Sequence, residues 1–120
     1  MTHEEAVALL SQALVQEERP DVSVIDLQDE LSAGALVWAG ERSAVLVRTR
    51  DCTTGERVCD ASPAAGDLNE ILDRGAREIE AYARATGCTQ IHVQAGRDGW
   101  ERALAPHGYE RTAVILRKLL

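Results

Sequence analysis

Apolar residues recur every three or four positions near the start of the chain, over residues 4–17. They are Ala6, Leu9, Leu10, Ala13 and Leu14, and this spacing places them on one face of an amphipathic helix. Thr2 and Glu5 have the spacing of a capping box, and Pro20 ends the pattern. The sequence therefore predicts an N-terminal helix. Residues 21–34 suit a short strand at their start and a helical turn further on, and both alternatives remain open here.

The pattern changes to the alternation of β-strands from residue 35 onwards. Apolar and polar positions alternate over 35–39, 44–50 and 56–61, and turn-forming residues separate these stretches. Three such strands joined by short turns predict an antiparallel meander. The following segment, 62–66, is rich in Ala, Pro and Gly and is predicted to end the sheet.

A second amphipathic helix, the clearest in the chain, is predicted over 67–86. Its apolar face carries Leu68, Ile71, Leu72, Gly75, Ile79, Tyr82 and Ala83. Gly87 is placed to end this helix with a left-handed cap. A strand over 89–94, a short helix over 98–105 and a final strand over 109–119 follow. We therefore predict one α+β domain, residues 1–120, with a mostly antiparallel mixed sheet of five to six strands.

Composition narrows the range of partners. The 120 residues carry a net charge of −7 at pH 7 and include no Phe, so the core is predicted to be aliphatic. An acidic chain repels nucleic acid and anionic lipid over about a Debye length, and no apolar run has the roughly 20 residues of a membrane span. We expect neither nucleic acid nor a membrane as a direct partner. The bases Arg111, Arg117 and Lys118 are predicted to lie on a solvated strand edge.

Three cysteines, Cys52, Cys59 and Cys88, form an odd set with no accompanying signal peptide. Such a set is typical of free thiols in a reducing compartment. The spacing between Cys52 and Cys59 does not match a zinc site, and no His lies near them in sequence. No metal site is predicted.

The segment 99–109 resembles part of a known superfamily. Its sequence, Gly-Trp-Glu-Arg-Ala-Leu-Ala-Pro-His-Gly-Tyr, is similar to the late signature of the GNAT (GCN5-related) N-acetyltransferases, in which a short helix ends in a Gly–aromatic pair before the last strand. Here that pair is Gly108 and Tyr109. The resemblance covers about residues 35–120 and implies the GNAT fold. The wording near 96–102 and at the C-terminus is also similar to short GNAT-like proteins of tailed bacteriophages and prophages.

The resemblance implies an acetyl-CoA pyrophosphate site at the start of the long helix, but the residues there do not match it. The family motif is Arg or Gln, two residues, Gly, one residue, then Gly or Ala, because glycine lets the backbone reach an anion at a helix start. The matching positions hold Asp67, Glu70 and Leu72. Asp67 and Glu70 instead have capping-box spacing, and their charges oppose an anion. We therefore expect no cofactor; the backbone of Ala65 and Gly66 is the place that would hold one.

The catalytic positions of the family are also changed. The Tyr that serves as general acid in many of the enzymes falls on Leu104, which has no proton to donate, and an Asn falls on Arg97. No catalytic role is predicted for several other polar or aromatic side chains: His92, His107, Tyr82, Tyr109, Glu56, Asp60 and Trp100. Nothing in the sequence pairs specifically with Glu56 or Asp60. No catalytic residue is predicted.

Two functions are compatible with these residues. The first is a non-catalytic GNAT-fold protein of phage or prophage origin, acting in virion structure or assembly or binding other proteins. Its partners would be phage structural proteins or a second copy of itself, in the bacterial cytoplasm or in the virion. The second is an acetyl-CoA-dependent N-acetyltransferase that acts on a small amine or a protein amine. An open slot between the third and fourth strands, beside the start of the long helix, favours the enzyme, whereas a gap filled by side chains favours the non-catalytic protein.

Overall fold

Two N-terminal helices cover one face of the sheet. The computed structural model describes residues 1–16, 24–94, 99–114 and 116–120. Helix α1, His3–Gln16, begins with the predicted capping box, in which the Glu5 N–H donates to Thr2 Oγ1 at 3.1 Å. Helix α2, Val24–Ser32, decides the alternatives that the sequence left open, because Leu27 and Leu31 turn toward the core at helical spacing.

Four strands form one mixed sheet in the order β1-β2-β3-β4. They are β1 Leu36–Ala39, β2 Ser43–Asp51, β3 Arg57–Gly66 and β4 Gln90–His92. The first three form the predicted antiparallel meander, and β4 runs parallel to β3. Strand β3 continues through 62–66, where the sequence predicted a break, because this stretch still pairs with β2.

The long helix α3 spans 68–85 and packs on the other face of the sheet. It consists of Leu68–Glu70, a π-helical turn Ile71–Gly75, and Ala76–Ala85. Gly87 follows with φ +83°, which confirms the predicted left-handed end. The short helix α4, Trp100–Leu104, continues into a 3₁₀ turn, Ala105–His107.

Two apolar clusters hold these layers together. The first lies between the sheet and α1 and α2, and its buried members include Leu10, Leu27 and Leu46. The second lies between the sheet and α3 and includes Val45, Val47, Cys59, Ala61, Ile71 and Ile79. Among the described residues, every buried apolar side chain is non-aromatic, so the prediction of an aliphatic core is confirmed.

The predicted final strand over 109–119 is not formed. Residues 109–114 and 116–120 have no strand structure, so the described part of the chain has four strands and not five to six. An apolar stretch becomes a strand when a neighbouring strand pairs with its backbone, and none of the described strands runs beside this one. Its apolar side chains are exposed: Val114, Leu116, Leu119 and Leu120.

The bases near the C-terminus are also placed differently from the prediction. Arg111 does not lie on a strand edge but forms a two-pronged ion pair with Glu101, at 2.9 and 2.6 Å. Arg117 and Lys118 lie in the exposed terminal segment. None of the described helices has the length and apolar character needed to cross a bilayer.

Candidate functional site

Strand β3 is longer than β4 and continues past the point where their pairing ends. They pair at Val58 with Gln90, Cys59 with Ile91 and Asp60 with His92, and no described strand pairs with this edge of β3 beyond those positions. Strand β3 also has a bulge in this stretch, since its register with β2 shifts between Val45 and Val47. A bulge bends its strand. Strand β3 therefore runs from Ala61 to Gly66, toward the start of α3, without a described strand at this edge.

An apolar cleft lies between β3 and α3. It encloses a cavity of about 50 Å³, well above the roughly 10–15 Å³ that one water requires. One wall is β3 with Ala61, Ser62 and Ala64, and the facing wall is α3 with Ile71, Leu72 and Ala76. The small side chains on both walls leave this space open.

The far end of the cleft carries Tyr109 and Leu104. Leu104, which stands at the expected general-acid position, is buried and lines the cleft. Tyr109 also lines it, and burial, with a smaller contribution from the negative charge of Glu80, raises the pKa of its phenol. The Tyr109 hydroxyl therefore keeps its proton at neutral pH. Sequence reasoning gave Tyr109 a packing role and missed its place beside the cavity.

The start of α3 is occupied by the carboxylate of Asp67. Its Oδ1 accepts hydrogen bonds from the backbone N–H groups of Asn69 at 2.9 Å and Glu70 at 3.2 Å. Its Oδ2 lies 3.2 Å from the guanidinium of Arg42. The predicted helix cap is confirmed, and it uses donors that a helix start would otherwise offer to an anion.

Glu70 does not complete the predicted capping box. Its carboxylate crosses to the turn between β1 and β2, where it accepts from the N–H groups of Glu41 and Arg42, each at 3.0 Å, and from the Ser43 hydroxyl. The hydrogen bond from Ser43, followed by those from the backbone, lowers the pKa of Glu70 to about 2. Gly40 is required beside it, because a Cβ there would collide with the Glu70 carboxylate. Glu70 is therefore ionised and fixed next to the helix start.

Trp38 anchors β1 to the middle of α3, and sequence reasoning did not identify it. Its indole N–H donates to Glu78 at 2.5 Å, and the Arg74 guanidinium lies 5.9 Å from its ring centre. A Cβ on Gly75 would lie 3.2 Å from the Trp38 ring, so glycine lets the helix approach closely. The sequence signal was the unusual Gly75 inside a helical pattern.

A polar cluster occupies the opposite face of the sheet, next to α2. Asp60 is 9% exposed and accepts a hydrogen bond from Arg50 Nε at 2.7 Å, with Arg48 Nε at 3.6 Å. Arg48 also pairs with Glu30. The expectation that Asp60 has no specific partner is therefore wrong, because the antiparallel register brings the two arginines of β2 beside it.

His92 belongs to the same cluster. Its Nδ1 lies 3.0 Å from Arg50 Nη2, and its Nε2 lies 2.9 Å from Gln90 Oε1. A guanidinium can only donate, so Nδ1 accepts and the proton resides on Nε2, which donates to the amide oxygen. Asp60 and His92 form the last pair between β3 and β4.

The remaining predicted positions lie away from the cleft or form its walls. Ala65 and Gly66 pair with β2. Gly66 has φ +106°, and a Cβ at this position would collide with the Arg42 carbonyl oxygen. Glu56 and His107 are exposed, and Arg97 lies outside the described residues. Trp100 lines the cleft. Both Trp100 and Tyr82 pack against the second apolar cluster. Among the described residues, no group of three or more His, Cys, Asp or Glu side chains comes together to hold a metal.

Comparison with solved structures identifies the architecture. A proposed acetyl transferase from Pyrococcus furiosus superposes with a TM-score of 0.74 at 17% identity, covering 98% of this chain and 93% of that chain. A predicted acetyltransferase from Clostridium acetobutylicum with acetyl-CoA superposes with a TM-score of 0.67 at 12% identity, covering 97% and 88%. This chain has the fold of the GNAT acetyltransferases. No family model matches the sequence, and no curated protein does.

The same fold also occurs in a protein of another description. A transcriptional regulator from Bacillus halodurans C-125 superposes with a TM-score of 0.68 at 12% identity, covering 100% of this chain and 96% of that chain. At identities this low, the structural similarity establishes the GNAT fold alone, and the function has to be inferred from the residues of the site. They give no support to the expected phage or prophage resemblance, or to a virion role.

The prediction of no cofactor is overturned. The Clostridium acetobutylicum structure with this fold contains acetyl-CoA, and this chain has an apolar cleft between β3 and α3. The sequence shows that the family motif is absent from the helix start. It cannot show a cleft whose walls are formed by residues far apart in the chain.

Proposed function

We propose that this protein binds an acyl thioester of the acetyl-CoA type in the cleft between β3 and α3. The observation that carries the proposal is the apolar cavity in this cleft, beside the part of β3 that continues past its last pair with β4. An acyl group needs an apolar space of this kind beside a polar backbone. Small side chains at Ala61, Ala64 and Ala76 leave the space open for it.

The free edge of β3 suits the arm that carries the thioester. Beyond Asp60 no described strand pairs with this edge, and the proposed arm would hydrogen-bond to the backbone groups along it. A pantetheine arm is a narrow chain with two amides, and such a chain can add to a strand edge as a peptide does. The acyl end would lie in the cavity and the arm along 61–66.

The two ends of acetyl-CoA fit this site unequally. The thioester end meets an apolar cleft and a free strand edge. The pyrophosphate end would meet the start of α3, where Asp67 occupies the Asn69 and Glu70 N–H groups and Glu70 carries a second negative charge. Affinity is therefore expected to come from the acyl-pantetheine end.

Acetyl transfer to an amine is a second candidate, favoured by Tyr109. In such a transfer the amine nitrogen bonds to the acyl carbon and loses a proton, the carbon–sulfur bond breaks, and the departing thiolate takes a proton from a general acid, which is then reprotonated by the proton that the amine lost. Tyr109 lines the cavity, and its raised pKa keeps the phenol protonated, so it can supply that proton. The tyrosine expected from the family stands elsewhere in sequence, at Leu104.

Calorimetric titration with acetyl-CoA tests the proposed binding. A dissociation constant in the micromolar to low millimolar range is expected for the wild type. Ala76→Leu fills the cleft from the α3 side and is expected to weaken binding at least 10-fold. Ala81→Leu, the same change on an exposed position of the same helix, is the matched control and should leave binding unchanged. Absence of heat and of thermal stabilisation at millimolar acetyl-CoA would refute the proposal.

A further inference from the structure

The arrangement at the start of α3 bears on which thioester the cleft accepts. The free edge of β3 runs from the cavity toward Gly66, and α3 begins at Leu68. A thioester arm that follows this edge therefore carries its distal end to the first turn of α3. Whatever charge that end bears meets the groups at the helix start.

Those groups already satisfy one another. The Asn69 and Glu70 N–H groups donate to Asp67, and the Ile71 N–H donates to the Asp67 carbonyl at 3.1 Å. These are the donors that an anion at a helix start uses. A phosphate could bind them only by displacing a carboxylate held in the same chain.

The charges at the helix start also disfavour a phosphate. The Asp67 side chain is 31% exposed and faces solvent. The adjacent basic residue, Arg42, is paired with Asp67, and Arg74, further along the helix, is paired with Glu78 at 3.1 Å. The Asp67 carboxylate thus occupies the donors of the helix start, and Glu70 adds a negative charge in the adjoining turn between β1 and β2. Arg42 and Arg74 already pair with carboxylates of this chain.

We propose that this protein recognises the acyl-pantetheine part of its thioester and makes no favourable contact with the nucleotide. The inference rests on the proposed function. The cleft then takes an acyl-pantetheine group from coenzyme A or from the prosthetic arm of a carrier protein, and Asp67 sets the preference against additional phosphate charge.

Titration with matched thioesters tests this preference. S-acetylpantetheine, which lacks all phosphates, is expected to bind within about 3-fold of acetyl-CoA or more tightly. The affinity for acetyl-CoA should rise no more than that of S-acetylpantetheine when salt is lowered, because no phosphate contact is made. Acetyl-CoA binding 10-fold or more tightly than S-acetylpantetheine would overturn the inference and leave the proposed function standing. Binding of neither thioester would overturn the proposed function itself.

A variant whose helix cap is uncharged provides the second measurement. Asp67→Asn keeps a side-chain oxygen for the helix cap and removes its charge. It is expected to tighten acetyl-CoA binding about 3- to 10-fold and to leave S-acetylpantetheine unchanged. Asp73→Asn, an exposed position of the same helix, is the control and should change neither. An equal effect of Asp67→Asn on both thioesters would contradict the assigned role.

The source of the arm is distinguished by a third titration. The probe is a carrier protein whose 4′-phosphopantetheine arm carries an acetyl group, compared with the same carrier protein without an arm. Binding of the acetylated form more tightly than S-acetylpantetheine supports the proposal with a carrier protein as the source. Binding equal to or weaker than S-acetylpantetheine supports it with the small thioester as the source.

Discussion

The Glu70 carboxylate accepts a hydrogen bond of 3.0 Å from the backbone N–H of Arg42, which lies in the turn between β1 and β2. This contact links the first turn of α3 to the first turn of the meander, between β1 and β2. It also places a fixed negative charge beside the cleft in which we propose a thioester binds. The stability of this corner and its electrostatic preference are therefore set by the same side chain.

Glu70 is expected to make stability depend on acid pH. Its pKa in the folded protein is about 2, against an ordinary value of 4.5. A lowered pKa means that the contribution is fully present above pH 4.5 and is lost as the pH falls toward 2. Glu70→Gln should therefore unfold at lower denaturant concentration than the wild type at pH 7, with the difference shrinking below pH 4. Urea titrations from pH 7 to pH 3 measure it; a pH-independent difference would contradict the assignment.

Gly40 and Glu70 are predicted to be energetically coupled. A Cβ at position 40 would collide with the Glu70 carboxylate and with Trp38, so Gly40→Ala should cost about 1–3 kcal/mol through overpacking. In a Glu70→Ala background the same substitution should cost less, because one of the two clashes is gone. A double-mutant cycle by urea denaturation measures the coupling. Equal costs in both backgrounds would rule out the contact.

Asp60 is predicted to stabilise the pairing of β2 with β3 more than an exposed acidic side chain does. Asp60→Ala leaves Arg48 and Arg50 without their partner on that strand and should cost about 1–2 kcal/mol. Asp51→Ala, whose side chain is 84% exposed and lies 3.5 Å from Arg57, is the control and should cost less than about 0.5 kcal/mol. Thermal and urea unfolding of both variants provide the comparison. A cost at Asp60 no greater than at Asp51 would show that the cluster adds nothing.

Cys59 is predicted to be the least reactive of the three thiols. It is fully buried, and burial raises its pKa to about 11, so the reactive thiolate is scarce at pH 8. Cys52 and Cys88 are each partly exposed. Iodoacetamide labelling followed by mass spectrometry should modify these two in the folded protein and all three in urea. Labelling of Cys59 at the rate of Cys52 under native conditions would contradict its burial.

The features that the sequence predicted well depend on neighbouring residues. The cap of α1 by Thr2 and the cap of α3 by Asp67 are contacts across two or three positions. The meander follows from alternation and turns, and the end of α3 follows from Gly87. The resemblance of 99–109 to the GNAT signature, a short continuous motif, predicted the correct fold.

The features that the sequence missed depend on distant residues. Glu70 has capping-box spacing, yet its partners lie 28 and 29 positions earlier. The segment 109–119 is apolar enough for a strand, yet the described part of it has no strand beside it. The cleft is lined by residues of β3 and α3 together with Trp100, Leu104 and Tyr109, which lie far apart in the sequence.

Periodicity, caps and turns by themselves determined helices α1 and α3, the Asp67 cap and the meander, because each is set by hydrogen bonds and burial over a few residues, and the composition determined the aliphatic core. Tertiary structure alone decided where the Glu70 carboxylate binds and whether a cleft opens between β3 and α3. Those outcomes depend on how β1, β3 and α3 meet in space, and side chains such as Trp38, Glu70 and Tyr109 acquire their partners at that stage.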